Sequence, residues 1–397
     1  MNTNAVPDGA LKELKVVDLS RVLAGPYCTQ MLADHGAEVI KVEPPSGDDT
    51  RRWGPPFIND EVSAYYQGLN RNKQHLSIDL TTEPGQRILA ELLEDADVLV
   101  ENFKVGTLAR WGFDDATLEH RYPRLIHCRI TGFGVDGPLG GAPGYDAILQ
   151  AFGGLMSVNG EEGGTPLRVG VPVVDMVTGI HAFSGVLLAL NERQRSGQGQ
   201  RIDCTLLDTA IGLLHPHSAN WLADGREPVR SGSAHPSISP YDVFTTADGD
   251  MFITVGNDRQ FQDFAQAIEA PWLLESEKFA SNADRVTHRQ ALKVSILEAT
   301  LKLSSEELGR RLAEAGVPAT PVNGIGDALT HPQVKHREMV IESNDYRGIG
   351  FPVSLSRTPA SLRQLPGGIG RDTRQRLEEK GYSADEINTL YQSGVIR

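Results

Sequence analysis

A single carboxylate, Asp175, lies in the stretch "RVGVPVVDMVTGIHAFSGVLLALNERQRSG" (168–197), between a Val- and Pro-rich run and a long apolar segment. The apolar pattern predicts a helix over residues 176–195, which would make Asp175 its N-cap and an acceptor of backbone N–H groups. A carboxylate at an apolar strand-to-helix junction is also typical of a nucleophile, with Gly170 and Gly179 leaving the nearby backbone bare. The spacing alone leaves both interpretations open.

Polar, cationic and aromatic side chains in the first third of the chain form a second group that could do chemistry. Asn102 and Phe103 follow the run "DVLVE", and open α/β sheets bind ligands at the carboxyl ends of their strands. An amide, a ring that stacks on a flat base and cations that meet phosphates would suit an adenine-nucleotide-like ligand. The cations of this region are Arg51, Arg52, Arg71, Lys73, Lys104 and Arg110.

Several other chemistries lack their motifs. The first predicted strand is followed by "SRVLAGPYCTQ" and not by the Gly-x-Gly-x-x-Gly of dinucleotide-binding proteins. The helix that begins near Pro26 could still receive an anion, and a Pro-initiated packing helix is the alternative. There is no Walker A sequence and no Gly-x-Ser-x-Gly. The histidines of "HPHS" (215–218) have no carboxylate or Cys at a helical ligand offset, so no metal site is predicted.

Composition narrows the class of protein and its compartment. The formal net charge of −14 and a pI near 5.3 argue against nucleic acid or an anionic membrane as a partner. Cys28, Cys128 and Cys204 have no paired or metal-like spacing, which is typical of reduced core residues. No secretory signal pattern and no apolar run near the roughly 18 residues of a membrane span is evident. These features predict a cytoplasmic protein.

The order of β-rich and helical patterns predicts an α/β fold. Residues 14–131 alternate short strands with helices, as βαβ units of a parallel sheet do. We expect a Rossmann-like large domain over 1–210, a turn-rich linker, and a smaller α+β domain over 226–325 that opens with the hairpin "YDVFTTADGDMFITVG". The segment 326–397, with a strand in "FPVSLSRTP" and two helices, is too small to bury its own core and is expected to return to the large domain.

Taken in order, several segments resemble the class III CoA-transferase family (CaiB/BaiF type), which includes formyl-CoA, carnitine-CoA and succinyl-CoA-dependent transferases. The matching segments lie between residue 15 and about residue 210 and are "VVDLSRVLAGPYCTQMLADHGAEVIKVEPPSGDDTR", "YQGLNRNKQHLSIDL", "DVLVENFKVGTLARWGF", "ITGFGVDGPLGGAPGYDAILQAFGGLMSVNG", "VGVPVVDMVTGIHA" and "GQGQRIDCTLLDTA". Shorter matches, "HPSISPYDVF" and "HPQVKHREMV", extend the resemblance over nearly the whole chain.

The resemblance implies a role for Asp175, which falls at the family's catalytic aspartate. Its carboxylate would attack a donor acyl-CoA, giving a mixed anhydride and then an aspartyl-CoA thioester, from which CoA passes to a small carboxylic acid. An N-cap setting would keep that carboxylate ionised. The resemblance places coenzyme A near Ala24, Asn72, Lys73, Asn102, Phe103 and Arg110. It also implies an interlocked homodimer, in which each chain threads through its partner, and no metal.

Departures from the family pattern bear on the substrate. Leu23 stands where formyl-CoA transferase has Gln, and Thr131 and Phe133 replace its Lys and Tyr, which argues against formyl and oxalate chemistry. The succinyl-CoA-dependent members are the nearest in pattern, with Arg168 and His235 as candidates for binding a distal carboxylate.

Two alternatives to a transferase stay open. An α-methylacyl-CoA racemase needs a His and an Asp as paired bases, and Tyr145 stands where that His would be. A non-catalytic CoA-binding protein would be expected to lack Asp175.

Overall fold

The computed structural model describes residues 9–58, 62–343 and 346–397. The chain forms two compact units. The larger contains residues up to Gly154, Val169–His215 and Glu338–Arg397, and the smaller contains Leu155–Arg168 and Pro216–Arg337.

This division differs from the predicted domain boundaries at residues 155–168. Residues 155–168 were assigned to the large domain, but they belong to the smaller unit, where Arg230 donates hydrogen bonds to the carbonyl oxygens of Ser157 (3.2 Å) and Gly164 (2.6 Å). The C-terminal segment belongs to the larger unit from Glu338 onward, and its end forms a bridge between Ile396 and Ile78.

The strands of the described ranges, in chain order, are β1 Lys15–Asp18, β2 Glu38–Glu43, β3 Phe57–Ile58, β4 Val62–Ser63, β5 Lys73–Ser77, β6 Val98–Glu101, β7 Ile126–Thr131, β8 Arg201–Thr205, β9 Tyr241–Thr245, β10 Asp250–Thr254, β11 Ala319–Pro321, β12 Val340–Ser343 and β13 Tyr346–Ile349. The strand predicted in "FPVSLSRTP" (351–359) is wrong, because that segment has no strand and the preceding residues form the β12–β13 pair instead.

The α-helices of the described ranges are α1 Ala24–Asp34, α2 Ala64–Gln67, α3 Glu83–Leu93, α4 Thr107–Arg110, α5 Asp115–Arg121, α6 Asp146–Phe152, α7 Leu155–Val158, α8 Val173–Ser196, α9 Leu206–Gly212, α10 His217–Asp224, α11 Asp258–Ala267, α12 Trp272–Glu275, α13 Asn282–Thr287, α14 Arg289–Thr300, α15 Ser305–Glu314, α16 Ile325–Thr330, α17 Pro332–His336, α18 Thr373–Glu379 and α19 Ala384–Gln392. Two short 3₁₀ helices cover Asp49–Arg52 and Glu277–Phe279.

The larger unit is built on a six-stranded parallel sheet with the order β5-β2-β1-β6-β7-β8. Counted within the sheet, this is the Rossmann order 3-2-1-4-5-6, so the α/β prediction is confirmed. The order reverses between β1 and β6, whose residues Val16–Asp18 pair with Val98–Val100. Ligands of such sheets bind beside the carboxyl ends of these two strands.

The smaller unit has its own core and its own sheet. The predicted hairpin is present as β9 and β10, which pair antiparallel, and β11 adds a third strand. Phe244, Met251 and Ile253 of this sheet are fully or almost fully buried, and apolar residues of α11, α14 and α15 join the same core.

The long helix α8 differs from its prediction at its beginning. It starts at Val173 and not at residue 176, and it ends where Gly197 adopts a left-handed conformation (φ 75°). By length and composition α8 is able to span a membrane, which corrects the expectation that no segment is long enough. Asp175 is the one carboxylate of this helix before Glu192. One such helix is weak evidence for a span, and α8 packs on α1, α6, α9, β7 and β8.

The contact between α1 and α8 depends on a glycine. A Cβ on Gly179 would lie 2.7 Å from the carbonyl oxygen of Ala24 and 3.1 Å from the ring of Tyr27. We expect Gly179→Ala to destabilise the larger unit by about 1–3 kcal/mol, since the two helices would have to separate. The thermal unfolding midpoint measures this effect. Gly212→Ala is the matched control, because no atom lies within 4 Å of its Cβ, and an equal loss in both variants would contradict the explanation.

Candidate active site

A cavity of about 430 Å³ lies at the point where the strand order of the parallel sheet reverses. Its walls include Arg21–Ala24, which follow β1, and Asn102–Val105, which follow β6. Asp175 also lines it, from the first turn of α8. A larger cavity of about 680 Å³ lies beside Gly9–Leu14 and contains none of the predicted site residues.

Of the two interpretations of Asp175, the structure excludes that of a helix N-cap. Asp175 is the third residue of α8, and the cap position belongs to Pro172, which has no side-chain cap hydrogen bond. The capping carboxylate comes from Asp146, the first residue of α6. Its Oδ2 accepts hydrogen bonds from the backbone N–H groups of Val174 (2.8 Å) and Asp175 (3.2 Å). The Asp175 side chain is therefore not used in capping.

Two further contacts hold Asp146 in place. The side chain of Gln150, fully buried, donates from Nε2 to Asp146 Oδ1 (2.6 Å) and accepts from the Val169 N–H (2.8 Å). The loop before α6 is fixed by a glycine pair, since a Cβ on Gly132 would lie only 2.7 Å from the backbone nitrogen of Gly144. The end of β7, the start of α6 and the start of α8 thus converge around the two carboxylates.

The surroundings of Asp175 favour its protonated form. Burial and, secondarily, the negative charge of Asp146 raise the pKa of Asp175 to about 7. The expectation that an N-cap setting keeps this carboxylate ionised does not apply, because Asp175 is not at the cap position. The carboxylate is poised near neutral pH, which is the range where a titratable catalytic group is most useful.

Tyr65 lies in the same electrostatic environment. Burial, followed by the charges of Asp175 and Asp146, raises the pKa of the Tyr65 phenol. The Tyr65 ring packs edge-on against Trp53 with 5.3 Å between the ring centroids.

The raised pKa of Asp175 has a consequence for stability. Because the folded-state pKa lies above the unfolded value of 3.8, ionisation of Asp175 lowers stability as the pH rises from about 4 to 7. We expect Asp175→Asn to raise the free energy of unfolding at pH 8, on the order of 2 kcal/mol after allowance for partial solvent screening, and to leave it unchanged at pH 3.5. Thermal midpoints at the two pH values measure this difference. A gain of equal size at pH 3.5 would contradict it, and Asp208→Asn, at an exposed position of α9, is the control.

Three residues predicted to bind CoA line this cavity together with Asp175. Ala24 is the first residue of α1, and Asn102 and Phe103 follow β6. The side chain of Asn102 is engaged with the neighbouring loop: its Oδ1 accepts from the Arg21 N–H and its Nδ2 donates to the Arg21 carbonyl, both at 2.8 Å. The Phe103 ring lies edge-on to Trp111 and beneath the guanidinium of Arg21.

The structure does not bring Asn72 and Lys73 to the cavity. Lys73 is fully buried and donates to Asp18 (3.1 Å), to the Pro26 carbonyl (2.9 Å) and to Asn70 (3.0 Å). The buried Asn72 side chain donates to Asp34 and to the Ser361 carbonyl, and it accepts from the N–H groups of residues 363 and 364. Both side chains link parts of the fold, so neither has a polar atom directed at the cavity.

Of the remaining cations in the first third of the chain, some are paired inside the fold and one lines the cavity. Arg51 pairs with Glu43 and Arg71 pairs with Asp34, and all four side chains are buried. Arg110, the last residue of α4, is exposed and donates to Thr107 (3.0 Å), which lines the cavity while Arg110 does not. Lys104 does line it.

Sequence reasoning missed Asp146, Tyr65 and Arg21. Asp146 stands beside Tyr145, which was considered only as a replacement for a racemase histidine, and its separation from Asp175 hides the capping contact. Tyr65 precedes a quoted segment directly, and Arg21 lies within one. The signal that could have identified these residues was their position within or directly beside the segments that resemble the family.

A family model identifies the class of protein to which this fold and cavity belong. Residues 11–373 match the family model described as CoA-transferase family III, and the chain belongs to that family. It is accordingly an enzyme that transfers coenzyme A between carboxylic acids.

Relatives of known name share most of their length with this chain. It is 41% identical over 380 residues to a succinate–glutarate CoA-transferase of Agrobacterium fabrum, covering 93% of this chain and 95% of that protein. It is 38% identical over 389 residues to a succinyl-CoA:mesaconate CoA-transferase of Haloarcula marismortui, covering 94% and 97% respectively. The crystal structure of a CaiB/BaiF family protein from Brucella suis superimposes with a TM-score of 0.86 at 40% identity, over 94% of this chain and all of that one.

Proposed function

We propose that Asp175 is the nucleophile of a CoA transfer that proceeds through covalent aspartyl intermediates. The observation that carries the proposal is the partly buried carboxylate of Asp175 at the wall of the switch-point cavity, since the helix cap is supplied by another residue, Asp146. An oxygen of Asp175 attacks the thioester carbonyl carbon, the C–S bond breaks, and a mixed anhydride and CoA thiolate result. The thiolate then attacks the Asp175 carbonyl carbon and releases the donor acid, leaving an aspartyl-CoA thioester.

The second half of the reaction reverses these steps with a new acid. The acceptor carboxylate attacks the aspartyl thioester and expels CoA thiolate, which then attacks the acceptor's acyl carbon and frees Asp175. The anhydride and the aspartyl thioester both keep an activated acyl group, so no external energy source is needed.

The proposed donor is succinyl-CoA, and the proposed acceptor is a small dicarboxylic acid. Support comes from relatives named for transfer between succinate and glutarate and from succinyl-CoA to mesaconate. Glutarate and mesaconate are therefore the first acceptors to test. Arg168 and His235 remain candidates for binding a distal carboxylate, and Arg168→Ala should change the ratio of succinyl-CoA to acetyl-CoA turnover if Arg168 has that role.

The cavity gives no support to the alternative racemase reaction. Racemisation of an α-carbon needs two bases on opposite sides of that carbon. Within the described ranges no histidine lines the cavity, and Tyr145 stands at the position compared with the racemase base. The aspartyl mechanism needs only the one carboxylate.

We also propose that the protein functions as an interlocked homodimer in the cytoplasm, without membrane or nucleic-acid partners. Apolar side chains on α6 and α8, including Phe152 and Leu188, are exposed on the larger unit of the single chain, as a subunit interface would leave them. Light scattering at micromolar concentration should give twice the chain mass, and a folded monomer would contradict the dimer.

Intact-mass spectrometry tests the covalent step. Wild type and Asp175→Ala are incubated with succinyl-CoA, with no acceptor, and the products are trapped with hydroxylamine or borohydride. We expect modification of the wild type alone, and peptide mapping should place it on Asp175. Modification of both proteins, or of neither across a panel of acyl-CoAs, would contradict the aspartyl mechanism.

A further inference from the structure

The charged residues that line the switch-point cavity are Arg21, Asp49, Lys104 and Asp175. Asp49 pairs with Arg52 at 3.2 Å. Among the described residues, no carboxylate lies within ion-pair distance of Arg21. This sets it apart from Arg51, Arg71 and Lys73, whose charges are already matched inside the fold.

The Asn102 side chain forms hydrogen bonds with both main-chain polar groups of Arg21. Asn102 accepts from its N–H and donates to its carbonyl oxygen, both at 2.8 Å, so the loop after β1 is joined to the loop after β6. The next residue, Val22, has φ 68°, a left-handed conformation that is strained for a β-branched residue. Such a conformation persists only where the surroundings impose it, and the Asn102 contacts lie directly beside it.

The Arg21 guanidinium lies over the Phe103 ring, 5.3 Å from its centroid. A planar guanidinium that rests on a ring still has its N–H groups free to form the paired hydrogen bonds that phosphate oxygens accept. A bound ligand removes water from the charges of the cavity wall, and an opposite charge offsets that loss of hydration. An arginine in the wall that has no carboxylate partner therefore points to an anionic ligand.

We propose that Arg21 binds a phosphate group of coenzyme A and that Asn102 is the positioning residue that fixes Arg21. The proposal deepens the proposed function, since it takes an acyl-CoA as the occupant of this cavity. It also gives Asn102 a structural role, because each end of its amide forms a hydrogen bond with the Arg21 main chain.

Titration calorimetry with free CoA and steady-state kinetics with succinyl-CoA test Arg21. We expect Arg21→Gln to raise the Kd for CoA and the KM for succinyl-CoA about tenfold or more, the effect of losing one charge-assisted hydrogen-bonding group, with a smaller change in kcat. Arg121→Gln is the matched control, because Arg121 lies over Tyr122 at the same 5.3 Å but is exposed and outside the cavity.

A second ligand, 3′-dephospho-CoA, identifies which phosphate is bound. If Arg21 meets the 3′-phosphate, the Arg21→Gln variant binds CoA and dephospho-CoA equally. If Arg21 binds the diphosphate, the substitution raises the Kd for CoA and the Kd for dephospho-CoA by the same factor relative to wild type. Unchanged Kd values for both ligands in a folded Arg21→Gln protein would overturn the proposal. A wild type that binds CoA but forms no Asp175 adduct would count against the proposed function alone.

A double-mutant cycle tests Asn102 as a positioning residue. If Asn102 acts on CoA through Arg21, Asn102→Ala raises the same Kd, and the double variant is no weaker than the weaker single variant. Full additivity of the two effects, or an Asn102→Ala variant with wild-type Kd, would overturn this part.

Discussion

Asp175→Ala is expected to lower kcat for CoA transfer from succinyl-CoA to a dicarboxylate by at least about 10³-fold, as loss of a nucleophile does in enzymes with covalent intermediates. The other described residues with charge at the cavity wall are two cations and Asp49, which is paired with Arg52. No second free carboxylate is therefore present there to replace Asp175. The measurement is the rate of formation of the product thioester, followed by chromatography.

The control for this prediction is Asp208→Ala. Asp208 is also the third residue of its helix, α9, but it is exposed and does not line the cavity. Its variant should keep wild-type kcat. If Asp175→Ala retained more than a tenth of the wild-type rate while binding CoA normally, the carboxylate would not be the nucleophile, and a direct exchange between the two bound acids would have to be considered.

The strand pattern predicted that Asn102 and Phe103 lie at the carboxyl edge of the parallel sheet. Val98–Glu101 and the "VVD" of β1 are short runs that read as buried parallel strands, and the ends of parallel strands lie at one edge of the sheet. Asn102 and Phe103 were therefore expected at that edge, and the resemblance to the family placed Ala24 with them. That β1 is the neighbour of β6 depends on the order of the strands in the sheet, which the chain does not show locally.

The cations of the same region could not be sorted from the sequence. Lys73 is the first residue of β5, and a lysine there is usually solvated. Here it is fully buried beside Asp18, and burial lowers its pKa to about 8 while the Asp18 charge opposes the shift. The hydrogen-bond partners of Lys73 lie up to 55 residues away from it in the sequence. Only the three-dimensional arrangement shows that this charge is paired inside the fold, whereas Arg21 has no ion-pair partner among the described residues.

The interpretation of Asp175 as the N-cap of α8 was wrong for a similar reason. A Ser, Thr, Asp or Asn before an apolar periodic run is the usual sign of an N-cap, and Asp175 met that rule. The structure supplies the cap from Asp146, 29 residues earlier, and so releases Asp175 for the cavity. A local rule finds only local caps, and a carboxylate that breaks such a rule is worth testing as a functional group.

Asp146 gives the second large effect, on the pH dependence of the reaction. Only the ionised form of Asp175 is nucleophilic, so with a pKa of about 7 the wild-type rate should fall tenfold for each pH unit below neutrality. Asp146→Asn keeps an oxygen that can accept from the N–H groups of Val174 and Asp175 but removes the negative charge. The pKa of Asp175 should then fall, although burial continues to raise it. We expect the acid limb of kcat to move down by about one pH unit or more, which raises the rate at pH 5.5 about tenfold relative to the rate at pH 8.

Two further variants separate charge from structure in this prediction. Asp146→Ala loses the cap as well as the charge, so it should also lower stability by about 1 kcal/mol or more and reduce kcat at every pH. Asp49→Asn removes another acid from the cavity wall and should leave the acid limb in place, because the charge that raises the pKa of Asp175 is that of Asp146. Coincident acid limbs for wild type and Asp146→Asn would mean that burial alone sets the ionisation of Asp175. In that case Asp146 would act only as the cap that orients the nucleophile.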